Sequence, residues 1–471
     1  MTLRDNPAEA SGASPVAVAA LGASMLLASL GISIVSVALP ALSGAFGVGL
    51  PALQWTVLAY LLAVTVASPA AGALGDRFGG RRVLASALLA FALASAVATA
   101  APAFPVLIAA RTGQGLAAAF VLALAIAMVR ASVPAARTGR AMGLLGTMSA
   151  VGTALGPSLG GVLLAAGGWR TIFAVLVPLA LVAALMVARH LPPGKSSGKA
   201  AGRIDLPAAS ALTFALGLYA SALTRANPAD VTGGLLLCAA AGAFVLFLRV
   251  RQRPAGPGET GARPGLVANV LVATTIMATL VVGPFYLTGA LHLGSAATGL
   301  VMTTGPVVSA LSGLPAGRLT DRFGAAAMVR AGLVLMGLAT AGLAVLPGLV
   351  GVPGYVAALV CLTPGYQLFL AANNTAVMVG VGAERRGATA ANLSLSRNLG
   401  LVTGASLMGA VFAAAAGPAG LAHATPGALD MALRVTFGLA AGLVFTALAV
   451  VVLARRGAEP SDQSCTATQR R

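Results

Sequence analysis

Apolar runs long enough to cross a lipid bilayer recur along the whole chain, separated by short polar stretches. A helix needs roughly 20 apolar residues to span the hydrocarbon core. Runs of that kind lie near 17–39, 53–73, 83–101, 105–129, 141–166, 171–190, 207–225, 231–249, 266–289, 296–317, 325–346, 352–380, 388–414 and 435–454. The pattern predicts an all-α integral membrane protein with fourteen transmembrane helices. Glycine and proline inside the runs do not argue against helix, because neighbouring helices satisfy the backbone groups they free. The first run is too long for a signal-peptide core and follows polar residues that include Arg4, Asp5 and Glu9, so it is expected as an uncleaved first span.

Charge orients these spans. Lysine and arginine are retained on the cytoplasmic side of a membrane. With the N-terminus inside, Arg170, Arg225 and Arg434 fall outside and Arg111 and Arg397 fall within spans, while the rest of the 29 basic residues lie on inner loops and tails. Both termini are therefore expected in the cytoplasm. Hydrophobic residues make up 58% of the chain and charged ones 8%, against roughly 25% charged in soluble domains, so the chain has too little polar surface to face water. The net charge of +18 does not point to a nucleic-acid partner, since a basic binder gathers its charge on one soluble face and here it is spread over inner loops. Cys238, Cys361 and Cys465 have no paired spacing that would make a disulfide framework or a metal site. The expected setting is the cytoplasmic membrane of a bacterium, as a multi-pass monomer in contact with lipid, a small-molecule substrate and no partner protein.

The residues also repeat. Gly72-Ala-Leu-Gly-Asp76-Arg77-Phe78-Gly79 returns as Gly317-Arg-Leu-Thr-Asp321-Arg322-Phe323-Gly324. Gly152-Thr-Ala-Leu-Gly156-Pro-Ser158-Leu159 returns, at nearly the same offset, as Gly400-Leu-Val-Thr-Gly404-Ala-Ser406-Leu407. Two equivalent six-helix halves follow, as in transporters built from repeats. The organisation reads as a cytoplasmic tail 1–16, a six-helix half 17–190, a basic loop 191–206, an inserted helix pair 207–249, a basic loop 250–265, a second half 266–454 and a tail 455–471.

With these motifs in place, the chain resembles the fourteen-span drug/proton antiporter branch of the major facilitator superfamily, over nearly its whole length. Ser33-Ile-Val-Ser36-Val-Ala-Leu-Pro40 with Leu53-Gln-Trp55 and Tyr60 is similar to that branch's opening signature. Gly72 to Arg82 matches the inner-loop motif, and Leu107 to Gly115, with Arg111 and Gln114, matches the fourth-helix motif. Gly152, Gly156, Pro157, Gly160 and Gly161 fit the fifth-helix pattern associated with antiporters. The resemblance implies export of small amphiphilic compounds by alternating access, with H+ as the driving ion and no bound cofactor.

Physical reasons stand beside it. Gly72, Asp76, Arg77, Gly79, Arg81 and Arg82, with Asp321 and Arg322 in the repeat, make compact charged turns at inner helix ends, suited to latching one state through carboxylate–guanidinium bonds. Glycines four apart on the fifth span permit close helix approach, and Pro157 permits a bend. Arg111, Gln114 and Arg397 are intramembrane polar groups, costly and for that reason expected to be functional. Ser33, Ser36, Tyr60, Tyr286, Tyr366, Gln367, Asn373, Asn374, Asn392 and Asn398 are the side chains placed to line a substrate cavity. Two alternatives stand against that: a structural hydrogen-bond network among the amides, and interfacial anchoring for Trp55, Tyr60, Phe285 and Tyr286.

The sequence departs from the branch at Gly31, where an acidic residue is usual, at Ser36, where asparagine is usual, and at Thr171, where a second tryptophan is usual. The eleven acidic residues all lie outside the middle of a span on these boundaries, leaving Asp76 and Asp205 as the nearest carboxylates for proton coupling. Export is the leading function. An importer or facilitator of metabolites or nutrients without proton antiport is the alternative, and an enzyme is excluded by short inner loops and the lack of any metal cluster, phosphate loop or nucleophile triad.

Overall fold

The computed structural model describes residues 15–132, 135–192, 215, 217–219, 221–222, 259–379, 386–417, 421 and 423–456. Among these residues there is no strand, and twelve helical segments are long and apolar enough to cross a membrane. They are Val16–Phe46, Leu50–Ser68, Gly80–Ala100, Phe104–Val129, Leu144–Gly167, Trp169–His190, Arg263–Gly289, Ser295–Phe323, Ala325–Val350, Val352–Met378, Asn392–Ala415 and Pro426–Ala454. Each meets one expected span. The remaining expected pair, 207–225 and 231–249, falls outside the described residues except for a few helical positions.

In chain order the helices are α1 (Pro15–Ser33), α2 (Leu39–Phe46), α3 (Leu50–Leu53), α4 (Trp55–Phe78), α5 (Gly80–Ala100), α6 (Phe104–Ser132), α7 (Ala135–Gly167), α8 (Trp169–Ala174) and α9 (Leu176–His190). After them come α10 (Glu259–Gly289), α11 (Ser295–Phe323), α12 (Ala325–Val350), α13 (Val352–Met378), α14 (Arg386–Thr403), α15 (Gly409–Ala415) and α16 (Pro426–Arg456). Leucines on their surfaces stand bare, with Leu93 68%, Leu311 73% and Leu314 76% exposed. That is the inverse of a water-facing surface and matches contact with lipid chains. Hydroxyls inside the helices are satisfied locally, as in Ser24 to Ala20 O at 2.8 Å, Thr340 to Met336 O at 2.7 Å and Thr436 to Ala432 O at 2.7 Å. This back-bonding to the preceding turn lets serine and threonine sit in an apolar span.

The chain divides into two compact units. Unit 1 is Met1–Arg251 with Leu293–Pro306, and unit 2 is Gln252–His292 with Val307–Arg471. In unit 1, α7 packs on α1 while α6 packs on α4 and α5. The first span is not one rod: α1 stops at Ser33, a 3-10 turn runs over Ser36–Ala38, and α2 resumes with proline in its first turn. At one end of this unit Phe46 meets Phe104 (5.7 Å between ring centroids) and Trp169 (5.1 Å), and Trp169 meets Phe173 (6.3 Å). Thr171, where the related branch carries tryptophan, places its hydroxyl 2.7 Å from both Leu163 O and Gly168 O and closes the turn between α7 and α8.

In unit 2, α13 and α16 pack on α12, and α10 packs on α14 and α16. The last helix starts at Pro426 rather than near 435, so Asp430 and Arg434, read from the sequence as loop residues, lie within it.

The repeated motif is repeated geometry. Gly79 between α4 and α5 has φ 89° and ψ 122°; Gly324 between α11 and α12 has φ 81° and ψ 145°. A side chain strains such a backbone, which explains glycine at both. The two residues before each glycine pair in the same way, Arg77 lying 5.2 Å from the Phe78 ring and Arg322 lying 5.2 Å from the Phe323 ring.

Candidate functional site

Three constellations carry the polar chemistry, one in each unit and one at the repeated turns. The first centres on Arg111 of α6, which is fully buried. Its Nε donates to Thr56 O at 2.7 Å, and its Nη1 donates to Gly31 O at 3.0 Å and Gln114 Oε1 at 2.8 Å. Gln114 donates onward to the Ser95 hydroxyl at 2.8 Å. The Tyr60 ring lies 4.5 Å from the guanidinium carbon, and the Tyr60 hydroxyl donates to Ala28 O at 2.9 Å. The Arg111 side chain thus joins α1 and α4 to α6, and Gln114 extends the network to α5. A guanidinium suits this because its fork of donors reaches several acceptors at once. The breaks in the first two spans place such acceptors nearby: α1 ends two residues after Gly31, and α4 begins one residue before Thr56.

Gly31 also finds its physical reason here. A Cβ at that position would lie 2.9 Å from Phe91 Cζ and 3.4 Å from the Tyr60 hydroxyl, so Phe91 fills from the side the space an acidic side chain would need. Arg111 Nη2 and both polar atoms of the buried Gln54 side chain have no hydrogen-bond partner among the described residues.

The second feature of unit 1 is the seam between α7 and α1. A Cβ on Gly152 would run into Leu26 O, and one on Gly156 into the Ser33 side chain; one on Gly160 would lie 2.7 Å from Ile34 O. The Ser29 and Ser149 hydroxyls bridge the helices at 2.6 Å. Pro157 sits in the same stretch, where α1 itself is broken. On the other side of α7, a Cβ on Gly161 would lie 2.5 Å from Ser295 O and 3.0 Å from Gly299 Cα, within the same unit.

Unit 2 repeats the seam with different residues. A Cβ on Gly400 would run into Val270 O and one on Gly404 into Thr274 O, while the Thr274 hydroxyl donates to Gly400 O at 3.1 Å. Where unit 1 has Pro157, unit 2 has a π-helical turn over Gly404–Met408. Both are ordinary ways to bend a helix.

The expected cavity residues separate into two groups. Ser33, Ser36, Tyr60, Tyr286 and Asn373 are buried in helix packing. Asn373 donates to Gly265 O at 3.1 Å, and Tyr286 donates to Asp430 Oδ1 at 2.7 Å while stacking on Tyr355 at 6.3 Å. Tyr286 is therefore a packing residue of unit 2 rather than an anchor at the lipid interface. In contrast, Tyr366, Gln367, Asn392 and Asn398 are partly exposed, and Asn374 and Arg397 are exposed. Gln367 donates to the Ser309 hydroxyl. Arg397 makes no hydrogen bond or ion pair among the described residues, and Ser394, three positions earlier, is exposed beside it.

Asn269 escaped the sequence reading, although it carries the same signal as Asn373, an amide inside an apolar run. It donates to Ser396 Oγ at 2.8 Å and Leu393 O at 3.0 Å, fixing α10 to α14 one residue away from Arg397.

At the repeated turns, Arg81 donates to Leu191 O at 3.1 Å, Arg82 is exposed, and Asp321 and Arg322 are exposed. Gly72 and Asp76 are helical positions of α4; the contacts of the Asp76 carboxylate lie outside the described residues.

Comparison with known proteins places this geometry. The chain is 30% identical over 415 residues to the multidrug resistance protein Stp of Mycobacterium tuberculosis (strain CDC 1551 / Oshkosh), covering 84% of this chain and 75% of that one. It is 26% identical over 400 residues to the riboflavin transporter RibZ of Clostridioides difficile (strain 630), covering 83% and 86%. Among solved structures, a bacterial homologue of the human lysosomal transporter Spinster superposes with a TM-score of 0.68 at 16% identity, covering 94% of this chain and 99% of that chain. The sequence profile of the Major Facilitator Superfamily matches residues 21–405 and, a second time, 265–469. A multi-pass membrane protein of twelve described candidate spans, with the repeated turns and seams set out above, the chain belongs to the Major Facilitator Superfamily.

Proposed function

We propose that this chain is a secondary active transporter that exports small amphiphilic compounds, drugs or natural products, across the cytoplasmic membrane by alternating access. The observation that carries the reading is the seam in unit 1, where the glycines of α7 and Pro157 lie against the broken part of α1. Two helices that touch backbone to backbone, each with a built-in bend, form a joint that can open without side-chain repacking. The resistance and efflux proteins among the relatives, such as Stp, favour export over uptake. Everted membrane vesicles test it: an imposed proton gradient should drive dye into the vesicles, and accumulation in intact cells instead would establish the importer.

In this reading the chain works as a monomer with fourteen spans and both termini in the cytoplasm, the inner-loop residues around Asp76 serving as the latch. Reporter fusions after residues 195 and 258 are expected to report cytoplasm and one after residue 228 the outside. A cytoplasmic signal at 228 would remove the inserted pair and leave twelve spans.

Substrate charge follows from unit 2. Arg397 is exposed and has no hydrogen bond or ion pair among the described residues, whereas Arg111 is enclosed by its acceptors. Arg397 is therefore the charge that meets the ligand, and a cation near it would feel repulsion strengthened by the low dielectric. Neutral, zwitterionic or anionic compounds are the expected cargo. Arg397→Gln should lower export of an anionic dye by about tenfold relative to a neutral one, the ratio that one charge-assisted contact supplies. Equal losses for both dyes would show that Arg397 supports the helix rather than the ligand.

A further inference from the structure

The trough between α5 and α6 of unit 1 is a cavity of about 1160 Å³ open along its length. Its floor is made of small residues on both helices, among them Ala87, Ala94 and Gly113, and its rims carry Leu93 and Leu116. Two facing helices with small residues at their contact and large ones beyond it leave such a furrow. Compact ligands occupy clefts of about 300–1,000 Å³ with polar groups converging on them. Among the described residues the only polar side chains in the lining are Arg82 and Ser86, both near the start of α5. Ser86 is already bonded to Val83 O at 3.0 Å. Arg82 is exposed and makes no hydrogen bond or ion pair among the described residues, unlike Arg81, which donates to Leu191 O. Phe78, also in the lining, has the Arg77 guanidinium 5.2 Å from the centre of its ring.

A furrow that is charged at one end and apolar along the rest fits an amphiphile with an anionic head and a long alkyl tail. From Val83 to Val97 the trough runs about 21 Å along α5 at 1.5 Å per residue, more than half of the roughly 30 Å hydrocarbon core. We propose that this trough binds one anionic phospholipid of the cytoplasmic leaflet, its acyl chain between α5 and α6 and its phosphate on Arg82. Arginine recognises phosphate through paired hydrogen bonds, and basic pockets between helices on the cytoplasmic side hold anionic head groups. The assignment rests on the orientation given above, which puts Arg82 on the inner side. Its test does not depend on transport, so a failure of the export reading leaves the result readable.

The full-length protein, purified and delipidated in detergent, is titrated with phosphatidylglycerol or phosphatidylcholine of identical acyl chains and followed by native mass spectrometry. Both lipids carry the phosphate, but choline offsets its charge in phosphatidylcholine, so phosphatidylglycerol should bind about tenfold more tightly, the ratio expected when a net charge assists the contact. Arg82→Gln should abolish that preference. Ala90→Trp fills the trough from an exposed position of α5 and should lower binding of both lipids, and Ala109→Trp should do the same from the facing wall; thermal melting confirms that each variant is folded. Equal binding of the two lipids to the unmodified chain, or a phosphatidylglycerol preference that survives Arg82→Gln, would overturn the proposal.

Discussion

Gly152→Val should abolish folding of unit 1, and Gly400→Val should do the same to unit 2. A Cβ at either position runs into a backbone carbonyl of the facing helix, Leu26 O in one case and Val270 O in the other. Overpacking a core with extra methyl groups costs about 1–3 kcal/mol when side chains can shift. Here the obstacle is main chain held in a helix, so the cost is met only by separating α7 from α1, or α14 from α10. Gly146 of α7 is the internal control, because among the described residues nothing lies within 4 Å of a Cβ there; Gly146→Ala should be neutral or slightly stabilising, as glycine is worth about 0.5–1 kcal/mol less than alanine inside a helix. Size-exclusion profiles of fluorescent fusions check all three. A monodisperse, transporting Gly152→Val protein would mean that the seam is looser than this geometry requires.

Arg111→Ala is expected to be as severe. It removes three hydrogen bonds from a buried charged group, and a bond of that type contributes about 1.5–3 kcal/mol. Thr56 O and Gly31 O would each lose a donor, and the Tyr60 ring would lose the cation beside it. Arg111→Lys should rescue little, since one ammonium cannot reach two carbonyls on different helices and an amide together. Gln114→Ala should be milder, because it removes one acceptor and leaves both carbonyls paired. The yield of folded protein from membranes should rank Gln114→Ala above Arg111→Lys and Arg111→Lys at or above Arg111→Ala. Recovery of Arg111→Ala at the unmodified level would assign the arginine to coupling alone.

Hydropathy located the twelve described spans because the bilayer sets a minimum length for each. The repeats were legible because turn glycines and seam glycines answer to backbone geometry, which leaves few alternatives. Which way a side chain faces was much less so. A span apolar on all sides has no preferred face in sequence, so Tyr60 and Tyr286 read as cavity or interface residues although both are buried, and Asn269 was passed over although it fixes α10 to α14. Charged termini blur helix ends in the same way. Asp430 read as a loop residue because Asp430 and Arg434 interrupt the apolar run, yet α16 continues through both and the carboxylate is held by Tyr286. Arg111 was recognised as exceptional, but its partners are carbonyls, which every residue carries and no sequence can flag.

Those carbonyls also set an order of assembly. Gly31 and Thr56 precede Arg111 in the chain, and Ser95 precedes its donor Gln114, so the ribosome delivers these three acceptors before their donors. An arginine at the centre of a lone helix disfavours insertion by about 2.5–3.5 kcal/mol. The fourth span need not bear that penalty alone, because the two spans whose carbonyls receive its guanidinium precede it in the chain. Its entry into the bilayer is thus tied to theirs.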